Sequence, residues 1–151
     1  MKKVMLLGIN SKFVHTNIAI RYIKKYVKKY SAIEIEIFEK TINNHVEEII
    51  ADIYRKKPEI LMISAYIWNS EYVYKLITEV KKVFKNLTLV LGGPEVSYNA
   101  IELMNKYNEI DYIISGEGEK TTLEFLTKDK KDVKGLYYRE EDKIKFGGIR
   151  E

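Results

Sequence analysis

Four apolar runs in this chain each end abruptly in a short break of small or polar residues. The runs KVMLLG, ILMI, LTLVL and DYIIS lead into breaks at residues 9–12, 64–66, 92–95 and 116–119. In a parallel α/β sheet, the loops that leave the carboxyl ends of the strands open onto one edge, and ligands bind at that edge. The pattern therefore predicts a parallel sheet with a single ligand site.

Strand-like and helix-like stretches alternate along the chain, as they do in βαβ units with right-handed crossovers. The predicted strands are Lys3–Gly8, Ile33–Glu39, Ile60–Ser64, Leu87–Leu91 and Asp111–Ser115. The predicted helices lie near Asn17–Tyr30, Asn44–Lys57, Ser70–Lys85, Ser97–Tyr107 and Glu119–Leu126.

The second predicted strand differs from the others in its pattern. Its sequence IEIEIFE alternates strictly, which suits a strand with one exposed face, whereas the later strands are nearly continuous apolar runs. We therefore expect the second strand at an edge of the sheet. The predicted fold class is α/β, a flavodoxin-like doubly wound sheet of five parallel strands in the order 2-1-3-4-5.

The pattern changes after residue 127. Apolar residues 136–138 face Ile144 and Phe146 across a polar turn, which predicts a short C-terminal β-hairpin. We therefore divide the chain into an α/β domain at residues 1–127 and a hairpin connector at residues 128–151.

Composition excludes several classes of protein. The chain has 151 residues and no cysteine, so disulfides, cysteine nucleophiles and ligands for an iron–sulfur cluster are all excluded from it. No stretch approaches the ~20 apolar residues of a membrane span, and the opening apolar run is too short for a signal peptide. We expect a cytoplasmic protein with no membrane partner.

The net charge of +4 does not predict a nucleic-acid partner. The lysines cluster where helices are predicted to end, and cations there complement the negative end of the helix dipole. We expect a solvated lysine-rich surface on the side of the sheet opposite the ligand loops.

The breaks also argue against familiar ligand sites of this fold class. Ser64 follows the third strand, where a receiver domain carries its phosphate-accepting aspartate. The loop at residues 10–17 is bulky and poor in glycine, which is unsuitable for a phosphate cradle, and a G-x-G-x-x-G fingerprint is absent. Small residues at 64–65 and 92–93 would instead let a long ligand lie close to the sheet.

The segments KVMLLGIN, KFVHTNIAIRYI, PEILMISAYIWN, LVLGGPEVS and DYIISGEGE occur in that order. Together they resemble the N-terminal cobalamin (B12)-binding domain of B12-dependent radical SAM proteins over nearly all of residues 2–126. The resemblance implies that the cofactor tail enters between the sheet and its flanking helices. It also implies that the hairpin leads toward a radical SAM domain, with its S-adenosylmethionine and 4Fe–4S cluster, that lies outside these residues.

The resemblance also implies a set of cofactor-binding residues. Three residues after the third strand would line the slot beneath the corrin, namely Ser64, Ala65 and Tyr66. Three residues after the fourth strand would lie along the nucleotide tail, namely Gly92, Gly93 and Pro94, and Glu95 beside them is also expected to bind the cofactor. Gly116 and Glu117 would close the far wall, and Asn10 and His15 belong to the loop after the first strand. From this we expect that a bulky residue at Gly92 or Gly93 weakens corrinoid binding and leaves the fold stable.

One departure from the family concerns the cobalt ligand. Many B12 domains carry a D-x-H-x-x-G motif whose histidine ligates cobalt, but around His15 this chain has Phe13 in the aspartate place and Ile18 in the glycine place. Without the carboxylate, nothing fixes the tautomer and orientation of the imidazole. We expect no metal ligand in this chain, and either a corrin-covering or a packing role for Trp68.

The sequence leads to two hypotheses from different classes. The first is a cobalamin-binding module that positions a corrinoid for methyl transfer or radical chemistry by a radical SAM enzyme, with no catalytic residue of its own. The second is an interaction or scaffold domain that retained the fold and lost the cofactor.

Overall fold

One seven-stranded sheet organises the fold in the computed structural model, which describes residues 3–10, 18–66 and 69–150. The strands are Val4–Asn10 (β1), Ile35–Thr41 (β2), Ile60–Ser64 (β3), Thr88–Gly92 (β4), Tyr112–Ile114 (β5), Leu136–Glu140 (β6) and Lys143–Phe146 (β7). Their order across the sheet is β2-β1-β3-β4-β5-β6-β7.

The first five strands are all parallel, and β2 lies at the edge. The predicted order 2-1-3-4-5 and the edge position of the alternating strand are therefore confirmed. The predicted hairpin also forms, but it continues the sheet, because β6 pairs antiparallel with β5 through Ile113 and Tyr137. The division of the chain at residue 127 stays a prediction.

Helices cover both faces of the sheet. They are Ile18–Tyr30 (α1), Val46–Lys56 (α2), Ser70–Val83 (α3), Pro94–Ser97 (α4), Ala100–Lys106 (α5) and Gly118–Thr127 (α6), followed by a 3₁₀ turn at Lys130–Asp132. Within the described ranges, no helix is long and apolar enough to cross a bilayer.

The helix predicted at Ser97–Tyr107 is instead two helices, α4 and α5. Asn99 interrupts them with φ of −130° and ψ of 38°, outside the helical region. Asparagine is a weak helix former because its side chain competes for nearby backbone groups. The first of the two helices, α4, begins at Pro94, with one residue between it and the end of β4.

The alternation of side chains along the strands creates two apolar layers. Met5, Leu7 and Ile9 of β1 point into the layer beneath α2, α3 and α5, whereas Val4 and Leu6 point toward α1. Strands covered on both faces are nearly continuous apolar runs, and β1 and β3 are buried throughout, with polar residues only at their carboxyl ends. The α1 and α6 side of the sheet carries the site described below.

Arg139 anchors the hairpin strand β6 to α5. Its guanidinium donates hydrogen bonds to the carbonyls of Met104 (2.7 Å), Tyr107 (3.1 Å) and Ile110 (3.0 Å). The last turn of a helix leaves carbonyls without intrahelical partners, and this side chain satisfies two at the end of α5. The hairpin is thus fixed to the main body by polar contacts as well as by sheet pairing.

Candidate functional site

A groove of about 500 Å³ opens at the carboxyl ends of β3, β4 and β5, on the face covered by α1 and α6. Its floor is apolar and consists of Leu6, Met62, Val90 and Ile114. The first three of these are direct partners in the sheet register, so they form one row across three neighbouring strands. Such a floor suits a flat apolar group.

A row of small residues lies beyond this floor, at the ends of β3 and β4 and two residues before the end of β1. Gly8, Ser64 and Gly92 are register partners in β1, β3 and β4. They occupy the same face as the floor, because each follows a floor residue by two positions. A Cβ built on Gly92 would lie 3.7 Å from the Ile114 carbonyl oxygen, an ordinary contact distance. The space above Gly92 is therefore open groove.

Two helices form the walls of the groove. Ala19 and Ile23 of α1 line one side, and Gly118, Glu119 and Thr122 of α6 line the other. The helices approach each other closely at Gly118, where a Cβ would lie 3.0 Å from Ile23 Cδ1. The GEGE segment therefore has a packing role as well as a place in the groove. The sequence analysis missed these helical residues, as well as Ser97 and Tyr98 of the α4–α5 region.

Seven of the predicted site residues line the groove together: Ser64, Tyr66, Gly92, Gly93, Pro94, Gly116 and Glu117. Gly116 donates its backbone N–H to Ser97 Oγ at 3.4 Å, which joins the loop after β5 to α4. Burial raises the pKa of the Tyr66 phenol, which therefore stays neutral at physiological pH. Contact of these residues with a ligand stays a prediction.

Three other predicted residues do not line this groove. Asn10 is buried at the end of β1. Because β1 continues two residues beyond Gly8, the register partner of Ser64, Asn10 lies past the ends of β3 and β4. Ala65 is fully buried and acts through its backbone, donating its N–H to the Gly92 carbonyl at 2.7 Å. Glu95 is in the first turn of α4, and its N–H donates to the Ala65 carbonyl at 3.4 Å.

Gly93 joins the loops after β3 and β4. Its φ is 104°, and a Cβ on it would lie 2.4 Å from the Ala65 carbonyl oxygen. A side chain at this position would clash with the backbone and strain its own torsions. The expectation that a bulky residue at Gly93 leaves the fold stable is therefore wrong, whereas at Gly92 the open space is consistent with it.

Asn69 holds the loop after β3 in place. Its Oδ1 accepts the N–H of Tyr66 at 2.7 Å, and its Nδ2 donates to the carbonyls of Ile9 at 2.9 Å and Ser64 at 3.3 Å. One buried amide therefore connects the ends of β1 and β3. This connection fixes the backbone at the mouth of the groove.

The predictions for His15, Phe13 and Trp68 concern residues outside the described ranges. Ile18, in the glycine place of the histidine motif, is the first residue of α1 and is 59% exposed. Among the described residues, no three His, Asp or Glu side chains form a cluster that could hold a metal ion.

Comparison with known proteins agrees with this geometry. Residues 4–126 match the B12 binding domain family. The cobalamin-dependent radical SAM methyltransferase TokK of Streptomyces tokunonensis is 33% identical over 70 residues, which are 46% of this chain and 10% of TokK. The chain spans between 10% and 22% of the length of the curated relatives that it matches.

Two solved structures share the fold. The radical enzyme OxsB, with aqua-cobalamin and S-adenosylmethionine bound, superposes with a TM-score of 0.83 at 16% identity, over 100% of this chain and 22% of OxsB. The methyltransferase TsrM of Kitasatospora setae, with cobalamin and a 4Fe–4S cluster bound, gives 0.78 at 18% identity, over 100% of this chain and 30% of TsrM. With the family match over residues 4–126, the groove at the strand ends identifies the chain as a member of the B12-binding domain family.

Proposed function

We propose that this domain binds cobalamin with the nucleotide tail inside the groove and the corrin ring at its mouth. The observation that carries the proposal is the pair of small residues Ser64 and Gly92, which line the groove next to an apolar floor, with Gly8 in register beside them. Small side chains at the strand ends leave room for a tail to pass over the sheet. The floor beyond them would then bury the flat aromatic base at the end of the tail.

The polar groups of the groove lie near its mouth. Ser64 and Tyr66 follow β3, and Gly116 and Glu117 lead into α6. Hydroxyls and backbone N–H groups there are suited to the ribose and the phosphate of the tail, which need hydrogen-bond partners when they leave water. The chain would thus supply binding and orientation, and the corrinoid would supply the chemistry.

We further propose that this domain serves a radical SAM enzyme. The relatives that support this include TokK and the structural neighbours OxsB and TsrM, whose names describe cobalamin-dependent or radical S-adenosylmethionine enzymes. The chain has no cysteine to bind an iron–sulfur cluster, so the cluster and S-adenosylmethionine would belong to a separate domain. Methyl transfer and radical rearrangement both fit this arrangement, and a cytoplasmic location stays a prediction.

The open groove argues against a scaffold domain that has lost its cofactor. Without selection for a ligand, larger side chains at the small row would fill the space and stabilise the core. Gly92 retains room for a side chain, and the groove has a volume of about 500 Å³.

The test is a titration of the chain with hydroxocobalamin and with cobinamide, which has the corrin but no nucleotide tail. Binding is followed by the visible spectrum of the corrinoid. We expect hydroxocobalamin to bind much more tightly than cobinamide. Gly92→Leu, which fills the groove, should abolish most of this difference. Val83→Leu is the control, because Val83 is 57% exposed at the end of α3, outside the groove lining. Equal affinity for both corrinoids would contradict the proposed placement of the tail.

A further inference from the structure

Thr122 carries a buried hydroxyl for which the structure offers no hydrogen-bond partner. The residue is 0% exposed, and its Oγ1 makes no hydrogen bond within the part of the chain that the structure describes. It also lines the groove, from the second turn of α6. A buried hydroxyl without a partner is costly, so its presence on this wall needs an explanation.

Other threonines of the chain show how such a hydroxyl is ordinarily satisfied in a helix. Thr78 donates to the Tyr74 carbonyl at 3.0 Å, and Thr127 donates to the Leu123 carbonyl at 2.7 Å. This bond to the carbonyl four residues earlier is the usual solution for a helical threonine. Thr121, adjacent to Thr122, donates to the Lys134 carbonyl at 3.1 Å. Thr122 alone among these four makes neither kind of bond in the described structure.

The position of Thr122 determines which part of a ligand can reach it. The groove opens at the strand ends, and the first turn of α6 lies there with Gly118 and Glu119. Thr122 comes one turn later, so it lies deeper between the helix and the sheet. The neighbouring lining at that depth is apolar, with Ile23 of α1 and Val90 of β4. The part of an entering tail that arrives here is its terminal base.

Chemistry then defines the contact. A base held inside the groove is detached from cobalt, and its free ring nitrogen is a hydrogen-bond acceptor. A threonine hydroxyl is a donor, and rotation about χ1 exchanges it with the methyl group without moving the backbone. In apolar surroundings, a single well-placed polar group determines orientation and specificity.

We propose that the Thr122 hydroxyl donates to the ring nitrogen of the base and makes the groove select corrinoids whose tail ends in a nitrogenous ring. This inference rests on the proposed function and deepens it, because it names the class of corrinoid. A tail that ends in a phenol ring is also flat and aromatic but has no ring nitrogen, so it would leave the hydroxyl unpaired.

The test compares Thr122→Val with Thr127→Val, a matched control on the same helix whose hydroxyl is bonded outside the groove lining. Each variant of the 151-residue chain is titrated with cobalamin, with p-cresolyl cobamide, whose phenol ring has no nitrogen, and with cobinamide. Thr122→Val should weaken cobalamin binding about threefold to tenfold and leave the other two affinities unchanged. Thr127→Val should change none of the three.

A second measurement separates recognition from a structural role. Removal of an unpaired buried hydroxyl should stabilise the ligand-free protein, so the thermal midpoint of Thr122→Val should rise by about 2 to 4 °C. If Thr122→Val leaves the affinity for cobalamin unchanged, or weakens the binding of cobinamide as much as that of cobalamin, the inference is overturned while the proposed function stands. A lower thermal midpoint would likewise overturn it. Failure of the wild type to bind any corrinoid would overturn both.

Discussion

The contact between Gly93 and Ala65 allows a quantitative prediction about two adjacent glycines. A Cβ on Gly93 would lie 2.4 Å from the Ala65 carbonyl oxygen, and an ordinary contact begins at 3.4 Å, so the two loops would have to separate by about 1 Å. Overpacking of this kind costs about 1–3 kcal/mol. A non-glycine residue at a φ of 104° adds about 1–3 kcal/mol of torsional strain. We therefore expect Gly93→Ala to lower the free energy of unfolding by about 2–6 kcal/mol.

Gly92→Ala is the matched control, because its Cβ would make only ordinary contacts with Ile114. Its free energy of unfolding should stay within about 1 kcal/mol of the wild type, since alanine reduces the entropy of the unfolded chain where the native torsions allow it. The measurement is urea unfolding of the ligand-free proteins, followed by circular dichroism. Equal stability of the two variants would refute the argument that residue 93 must be glycine because its backbone lies so close to the backbone of Ala65.

Two further predictions concern the cobalt ligand and the acid stability of the fold. We expect His15→Ala to leave the paramagnetic resonance spectrum of cobalamin-bound Co(II) unchanged. The contrary result would be a nitrogen splitting that the wild type shows while the base is detached from cobalt and that the variant has lost. Burial would raise the pKa of Asp52, but Lys40 at 2.8 Å and Arg55 at 2.6 Å outweigh it and hold that pKa below its ordinary 3.8. Stability from this carboxylate is therefore present above about pH 4 and is lost as the pH falls through the lowered pKa. Urea unfolding at about pH 7 and about pH 3 should show a smaller acid-induced loss for Asp52→Asn than for the wild type.

The sequence was sufficient to predict the parallel part of the sheet, because each strand is indicated by a pattern within its own few residues. Strict alternation in β2 indicated one exposed face, and buried strands were continuous apolar runs. Breaks at Ser64, Gly92 and Gly116 marked strand ends that the structure brings to one groove. Asn10 did not join them, because the loop pattern does not reveal that β1 continues two residues beyond Gly8.

The walls of the groove were not predictable in the same way. Ile23 and Thr122 are ordinary members of amphipathic helices, and their position depends on how α1 and α6 pack against each other. No local pattern shows which helical face borders a cavity rather than a filled core. The addition of the hairpin to β5 was also missed, since backbone pairing between Ile113 and Tyr137 depends on a free strand edge and not on side-chain pattern.

The two edges of the sheet differ in how their charged side chains are placed. On β2, Glu36 and Glu39 form ion pairs with Lys56 at 3.4 Å and Arg21 at 2.9 Å, whereas on β7, Lys143 and Lys145 are exposed. If a second copy added to the β7 edge through the same strand, lysines would face lysines across the new pairing, which is unfavourable. At low ionic strength this repulsion opposes self-association by extension of the sheet at β7. Salt screens that repulsion, so concentrated salt weakens the protection against aggregation at this edge.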